Sequence, residues 1–231
     1  MKKVVVLLLA ICMMSTILTG CGGENNATVQ TDKTQSEQQA DQEVAVGTVL
    51  SAPEVQFDTN TKELYVYFTC PGDEVGETAS MEIAVDQVTE DTYLLYTTDG
   101  LIKTHQLIYE VTDAGVTKYY KDTFMDTFEK ETESSPQQVE KEKDEILSLL
   151  SNFMMQNSDY EGYKYRKSDA TVVALTGDVY VYDVLENNEC VGQICIDKNT
   201  GLLVSLKDAQ GNSSYTVQKF QTSNVEIPAY K

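Results

Sequence analysis

Through most of this chain hydrophobic and polar residues alternate, the period of a strand with one buried face. The clearest stretch runs from Asp178 to Pro228. It holds Asp178-Val-Tyr-Val-Tyr-Asp-Val-Leu185, Cys190-Val-Gly-Gln-Ile-Cys-Ile196, Leu202-Leu-Val-Ser-Leu-Lys207 and Tyr215-Thr-Val-Gln-Lys-Phe220. Turn sequences separate them at Glu186-Asn-Asn188, Asp197-Lys-Asn-Thr-Gly201 and Asp208-Ala-Gln-Gly-Asn212. β-branched and aromatic runs joined by such turns predict a meander of antiparallel strands. In the middle hairpin, a positive φ at Gly201 sets Ile196 opposite Leu202, Ile194 opposite Val204 and Gly192 opposite Leu206. That register keeps one face of the pair apolar. The expected sheet has one dry face and one wet face.

The front half carries a second meander. Its runs are Lys62-Glu-Leu-Tyr-Val-Tyr-Phe-Thr69, Ser80 to Asp86, Thr92 to Thr97 and Ile102 to Val111, with Val116 to Tyr120 as a further strand. Pro71-Gly72, Thr98-Asp99-Gly100 and Asp113-Ala114-Gly115 supply the breaks, and Glu129 to Ser135 is a polar interruption. The period then changes once. Ser135 offers an N-cap, Pro136 suits the first helical position and Gln138 has capping-box spacing. Val139, Ile146, Leu149, Leu150, Phe153 and Met154 form an apolar stripe, with Glu140, Lys141, Lys143 and Asp144 facing out. A helix over about 136–157 follows, ended by Asn157-Ser158. Tyr160 to Tyr165 and Ala170 to Thr176 lead into the C-terminal meander.

The first residues follow a different logic. Met1-Lys-Lys3 is a short basic start, and Val4 to Leu18 is apolar apart from Ser15 and Thr16. A bilayer-spanning helix needs about 20 such residues, so the layout is that of a secretory signal over 1–20. Leu18-Thr19-Gly20-Cys21 resembles the lipobox of bacterial lipoproteins. The resemblance implies that Cys21 is joined through sulfur to diacylglycerol and becomes the mature N-terminus. Each buried CH₂ contributes about 0.8 kcal/mol, and two acyl chains hold a protein stably where one is marginal. The implied location is the extracytoplasmic face of the cell membrane, with the lipid anchor as the membrane contact. Residues 21–47 hold too little apolar surface to order themselves and read as a tether. About 25 such residues reach roughly 25–30 Å. The folded domain is expected over 48–231.

The chain carries 17 basic and 37 acidic residues, a net charge of −20. Loss of Lys2 and Lys3 with the leader takes it to −22. A field of that sign repels nucleic acid and offers nothing to anionic headgroups.

The fold class expected is mainly β (α+β), a curved antiparallel sheet or open half-barrel with one central amphipathic helix packed on it. Strands, helix, strands and a lipid-modified N-terminus together resemble the LolA-type lipoprotein carriers and their LppX-like relatives. The resemblance is best from Tyr160 onward, where Ile196-Asp-Lys-Asn-Thr-Gly201, Leu202 to Leu206, Tyr215-Thr-Val217 and Val225-Glu-Ile-Pro228 follow one another. The helix that usually precedes the first strand in that family has no counterpart in Gly22 to Gly47. The resemblance implies a sheltered apolar ligand, a lipid or lipid-linked molecule, between Ile194, Ile196, Leu202 and Val204 and the helix. Phe153, Met154 and Met155 would form its lip, since methionines adapt to irregular guests. A second reading stays open: the helix plugs the sheet, these residues are a filled core, and the domain is an interaction or scaffold module with an envelope protein partner.

Catalytic chemistry has little to build on. His105 is the one histidine, set in an alternating strand, and reads as a surface or half-buried residue. No nucleophile elbow, P-loop or zinc-protease motif is present. The expectation is a protein that is not an enzyme, without cofactor beyond the diacylglycerol on Cys21. Cys190 and Cys195 are five apart on one strand, on opposite faces and about 16 Å apart, too far for a disulfide. Cys70 bridged across the sheet to one of them is an open alternative to three buried apolar fillers. The Asp197–Gly201 loop lacks the full calcium pattern and reads as a turn.

Overall fold

Local chemistry sets the hairpins. Asn187 and Asn188 take φ of 50° and 63°, the left-handed pair that a two-residue hairpin turn requires and asparagine tolerates. Gly115, Gly201 and Gly211 have φ of +116°, +74° and +88° in the loops they serve. Ser135 caps the helix, its Oγ accepting from Gln138 N at 3.3 Å, and Pro136 opens it.

The computed structural model describes residues 44–58, 60–72, 77–86, 88–98, 103–155, 160–167 and 179–231. Apart from Val44 and Ala45 they belong to one unit, Val46–Lys231. Cys21, the leader, most of the tether and the strand expected at Ala170–Thr176 lie outside the described residues, as does Asn157-Ser158.

The strands are β1 (Val49–Leu50), β2 (Leu64–Pro71), β3 (Thr78–Val85), β4 (Thr92–Thr98), β5 (Lys103–Thr112), β6 (Gly115–Asp122) and β7 (Glu129–Lys130). After the helix α1 (Pro136–Phe153) come β8 (Gly162–Lys167), β9 (Val179–Glu186), β10 (Glu189–Asp197), β11 (Leu203–Asp208) and β12 (Ser213–Gln221). Among the described residues they form one open sheet of 12 strands, in the order β1-β8-β9-β10-β11-β12-β2-β3-β4-β5-β6-β7. Every pairing is antiparallel. The two edges, β1 and β7, are two residues long, and short edges limit pairing with other chains. The polar interruption after β6 thus contains a small strand.

α1 lies across the sheet and touches both β6 and β11. It buries Val139, Ile146, Leu149, Leu150 and Phe153. It stops at Phe153, short of the expected 157. Met154 is its C-cap and Met155 turns to φ 56°.

The register of β10 on β11 differs from the expected one. Ile194 faces Leu206, Gly192 faces Asp208, and Ile196 faces Leu203 across a bulge at Cys195/Ile196. The loop chemistry is the reason. Asp197 Oδ1 accepts from Asn199 N at 3.1 Å, from Thr200 N at 2.8 Å and from Thr200 Oγ1 at 2.8 Å. These bonds hold a wide turn closed by Asp197 N to Leu202 O at 2.9 Å. The shift at Ile194 is two residues, and an even shift keeps each side chain on its face.

The expectation of one wet face fails in the front half. Ala84, Tyr93 and Ile108 point away from the helix yet are buried, because Val225, Ile227 and Tyr230 fold back over them with Tyr65, Leu95, Tyr119 and Phe128. Polar ties hold this C-terminal segment in place. Tyr230 Oη donates to Asp91 Oδ2 at 3.0 Å, Val225 N donates to Glu63 Oε1, and Lys231 pairs with Glu110.

Candidate functional site

Residues paired in register share a face of the sheet, which allows the helix-side layer to be traced. Tyr165, Tyr182, Ile194, Leu206 and Tyr215 form one row across β8, β9, β10, β11 and β12. Tyr215 meets Phe153 at the end of α1, ring centroids 4.8 Å apart, and Phe68 of β2 at 6.2 Å; Phe68 and Phe153 are themselves 4.9 Å apart. The other end of the row is tyrosine-rich: Tyr160–Tyr163, Tyr163–Tyr182, Tyr165–Tyr182 and Tyr165–Tyr180 centroids lie about 6 Å apart. Lys198 Nζ sits 5.0 Å from the Tyr180 centroid.

Tyr215 stands out among these rings. It is 6% exposed, and its hydroxyl has no hydrogen-bond partner among the described residues. Burial pushes its ionisation well above the ordinary tyrosine value, with Tyr160 adding to the effect. Buried hydroxyls are nearly always paired, which sets this atom apart among the described residues.

The residues singled out from the sequence fall into two groups. Phe153, Ile194, Ile196, Leu202 and Val204 are each 0% exposed, in contact with neither solvent nor a void of water size. Met154 and Met155 are half-buried at the helix end. The structure brings Phe153 to Phe68 and Tyr215, and Ile194 lies two strands from Tyr215 along the row. Beside Leu202 the cover is the segment before β2. Gly201 is so close to Gln56 and Phe57 that a Cβ there would stand 2.3 Å from the Gln56 carbonyl carbon. Glu54 N also donates to Tyr182 Oη at 3.2 Å.

A polar cluster holds the first half of α1. Lys118 of β6, only 4% exposed at its side chain, lies 2.5 Å from Glu142 Oε2, and Tyr109 Oη donates to the same oxygen at 3.4 Å. Burial, then the Glu142 charge, raises the Tyr109 ionisation. Sequence reading passed over Glu142, although it sits three residues after Val139 and four before Ile146, on the buried stripe itself. Thr92, paired in register with Tyr109, has a buried Oγ1 without a partner among the described residues. No residue type or spacing distinguishes Thr92 or Tyr215 beforehand.

His105 is half-buried in β5, opposite Tyr96 and Asp122. Cys190 is exposed rather than a buried filler, because it falls at the hairpin end of β10. Cys195 is buried, both are free thiols, and burial pushes the Cys195 thiol up. Cys70 is buried in β2, three strands from β10, about 14 Å at the usual spacing, so a bridge to Cys190 or Cys195 does not form. Among the described residues no group of three His, Cys, Asp or Glu is placed to hold a metal ion, and no helix is long and apolar enough to cross a membrane. No family model, curated protein or solved structure matches this chain.

Proposed function

We propose that the chain is a membrane-anchored extracytoplasmic lipoprotein, held by diacylglycerol on Cys21, whose domain binds or carries a hydrophobic ligand in a half-barrel. The observation that carries the ligand reading is the end of α1. There the helix gives out over an aromatic floor of Phe68, Phe153 and Tyr215, and half-buried Met154 and Met155 form an adaptable apolar rim. An acyl chain entering beside Phe153 would displace methionine side chains rather than open the sheet. Curvature is supported by a simple span. Lys118 and Tyr215 are five strand spacings apart, at least about 24 Å on a flat sheet. They are met by Glu142 and Phe153, about 17 Å apart along the helix axis. A sheet that curls toward the helix closes that gap.

A second reading has its own observation. Phe153, Ile194, Ile196, Leu202 and Val204 have no exposed surface, as expected of a filled core. On that reading the domain is an interaction or scaffold module in the cell envelope, working through its acidic surface.

Native mass spectrometry of the mature chain, extracted gently from its host, separates the two. A co-purifying lipid that disappears on Met155→Asp, a change on the half-buried rim where φ is 56°, with circular dichroism unchanged, supports the carrier. A bare protein that takes up no fluorescent fatty acid supports the interaction module. The anchor is tested apart from the cargo: Cys21→Ala should move the protein from the membrane fraction to the soluble one.

A further inference from the structure

We propose that the Tyr215 hydroxyl is the polar contact for the ligand's headgroup, and that this headgroup is an uncharged hydrogen-bond acceptor such as the carbonyl of a glycerol ester. The inference rests on the carrier reading above and narrows its ligand to neutral lipids.

The geometry comes first. Tyr215 projects from β12 to the helix side, with its ring against Phe153 and Phe68 and its hydroxyl buried without a partner among the described residues. A phenol there can donate one hydrogen bond, and its ring packs on Phe153, the residue just before the Met154–Met155 rim through which an acyl chain would enter. The chemistry of the surroundings then selects the acceptor. Among the described residues, burial and then Tyr160 act on the Tyr215 hydroxyl, and neither brings a positive charge to it. A carboxylate or phosphate brought here would lose its hydration with no countercharge from the described residues in return. The chain's charge of −20 adds repulsion to that cost. An ester or amide carbonyl accepts from the phenol and loses far less on desolvation.

The test uses the full mature chain and three probes of equal acyl length: a monoacylglycerol, the free fatty acid at neutral pH, and a lysophosphatidylglycerol. The monoacylglycerol should bind most tightly. Tyr215→Phe keeps the ring and removes the donor, and should weaken that binding about tenfold, the value of one buried hydrogen bond. The same substitution should leave the ligand-free thermal midpoint unchanged or higher, since it removes an unpaired buried hydroxyl. Thr92→Val, which removes a second buried hydroxyl without a partner among the described residues, should leave monoacylglycerol binding unchanged. Equal binding by the Tyr215→Phe protein, or tighter binding of either anionic probe, overturns the headgroup assignment and leaves the carrier reading standing. Failure of the wild-type chain to take up any of the three removes the carrier reading and this inference with it.

Discussion

The hydroxyl of Tyr230 donates to Asp91 Oδ2 at 3.0 Å, joining residues 139 positions apart. The other carboxylate oxygen of Asp91 accepts Val111 N at 2.9 Å, so one buried side chain ties the C-terminal segment to β5. The Tyr119 ring lies 4.9 Å from Tyr230 and completes the seat. Tyr230→Phe keeps the ring and leaves the Asp91 carboxylate one donor short in a site only 7% exposed. The expected loss is about 2 kcal/mol, the range for hydrogen bonds to charged groups. Urea unfolding of the two proteins measures it. An unchanged midpoint would mean that the segment is held by its apolar side chains alone.

The ion pair under the helix behaves differently from a surface pair. Lys118 and Glu142 have side chains 4% and 18% exposed, so removing one partner strands the other charge. Lys118→Met should cost about 3 kcal/mol. Adding Glu142→Gln to it should recover part of that loss, because no charge is then left unpaired and Tyr109 keeps an acceptor. If single and double variants unfold at the same urea concentration, the cost is one of packing rather than of an orphaned carboxylate.

Gly201 is constrained twice. Its φ of +74° disfavours a side chain, and a Cβ would meet the Gln56 carbonyl carbon at 2.3 Å and Phe57 N at 2.4 Å. Gly201→Ala should therefore destabilise the fold by more than the roughly 1 kcal/mol of the left-handed conformation alone, since backbone cannot swing aside as a side-chain tip can. Gly211, at φ +88° with open space around it, is the control: Gly211→Ala should show the smaller cost. Comparable thermal midpoints for the two variants would contradict the close approach.

Alkaline pH should unfold this protein before its tyrosines finish titrating. Burial, reinforced by Glu82, pushes Tyr65 and Tyr93 up to about 12, and burial does the same to Tyr182. An unfolded tyrosine ionises near pH 10. The neutral form is favoured in the folded state, so the contribution is fully present below about pH 10 and is lost as pH rises toward 12. Between those values the unfolded chain binds fewer protons and stability falls. Phenolate absorbance followed with pH, with and without urea, checks this. A folded-state titration that overlays the urea curve would refute it.

The sequence by itself determined the elements and their turns, because those depend on neighbours a few residues apart. Alternation specifies a strand, Ser135-Pro136 a helix start, and Asn187-Asn188 or Gly201 a positive φ, whatever else the chain does. It also placed Val139, Ile146, Leu149, Leu150 and Phe153 on one buried stripe. Only the tertiary structure decided what covers each face. Glu140 and Glu142 are the same residue two positions apart, and it is the approach of Lys118 that leaves one of them half-buried. Val225-Glu-Ile-Pro228 is legible only as a closing stretch, and it is Asp91, Glu110 and Glu63 that gather Val225, Ile227 and Tyr230 over the far side of the sheet. The β10–β11 register turned on Asp197 collecting three donors, an arrangement that alternation cannot encode because both registers keep the same face dry. The Tyr215 hydroxyl, unpaired among the described residues, is of the same kind. A tyrosine in a strand announces a ring to be buried, and whether its oxygen finds a partner depends on where a helix ending at Phe153, 62 positions earlier, comes to rest.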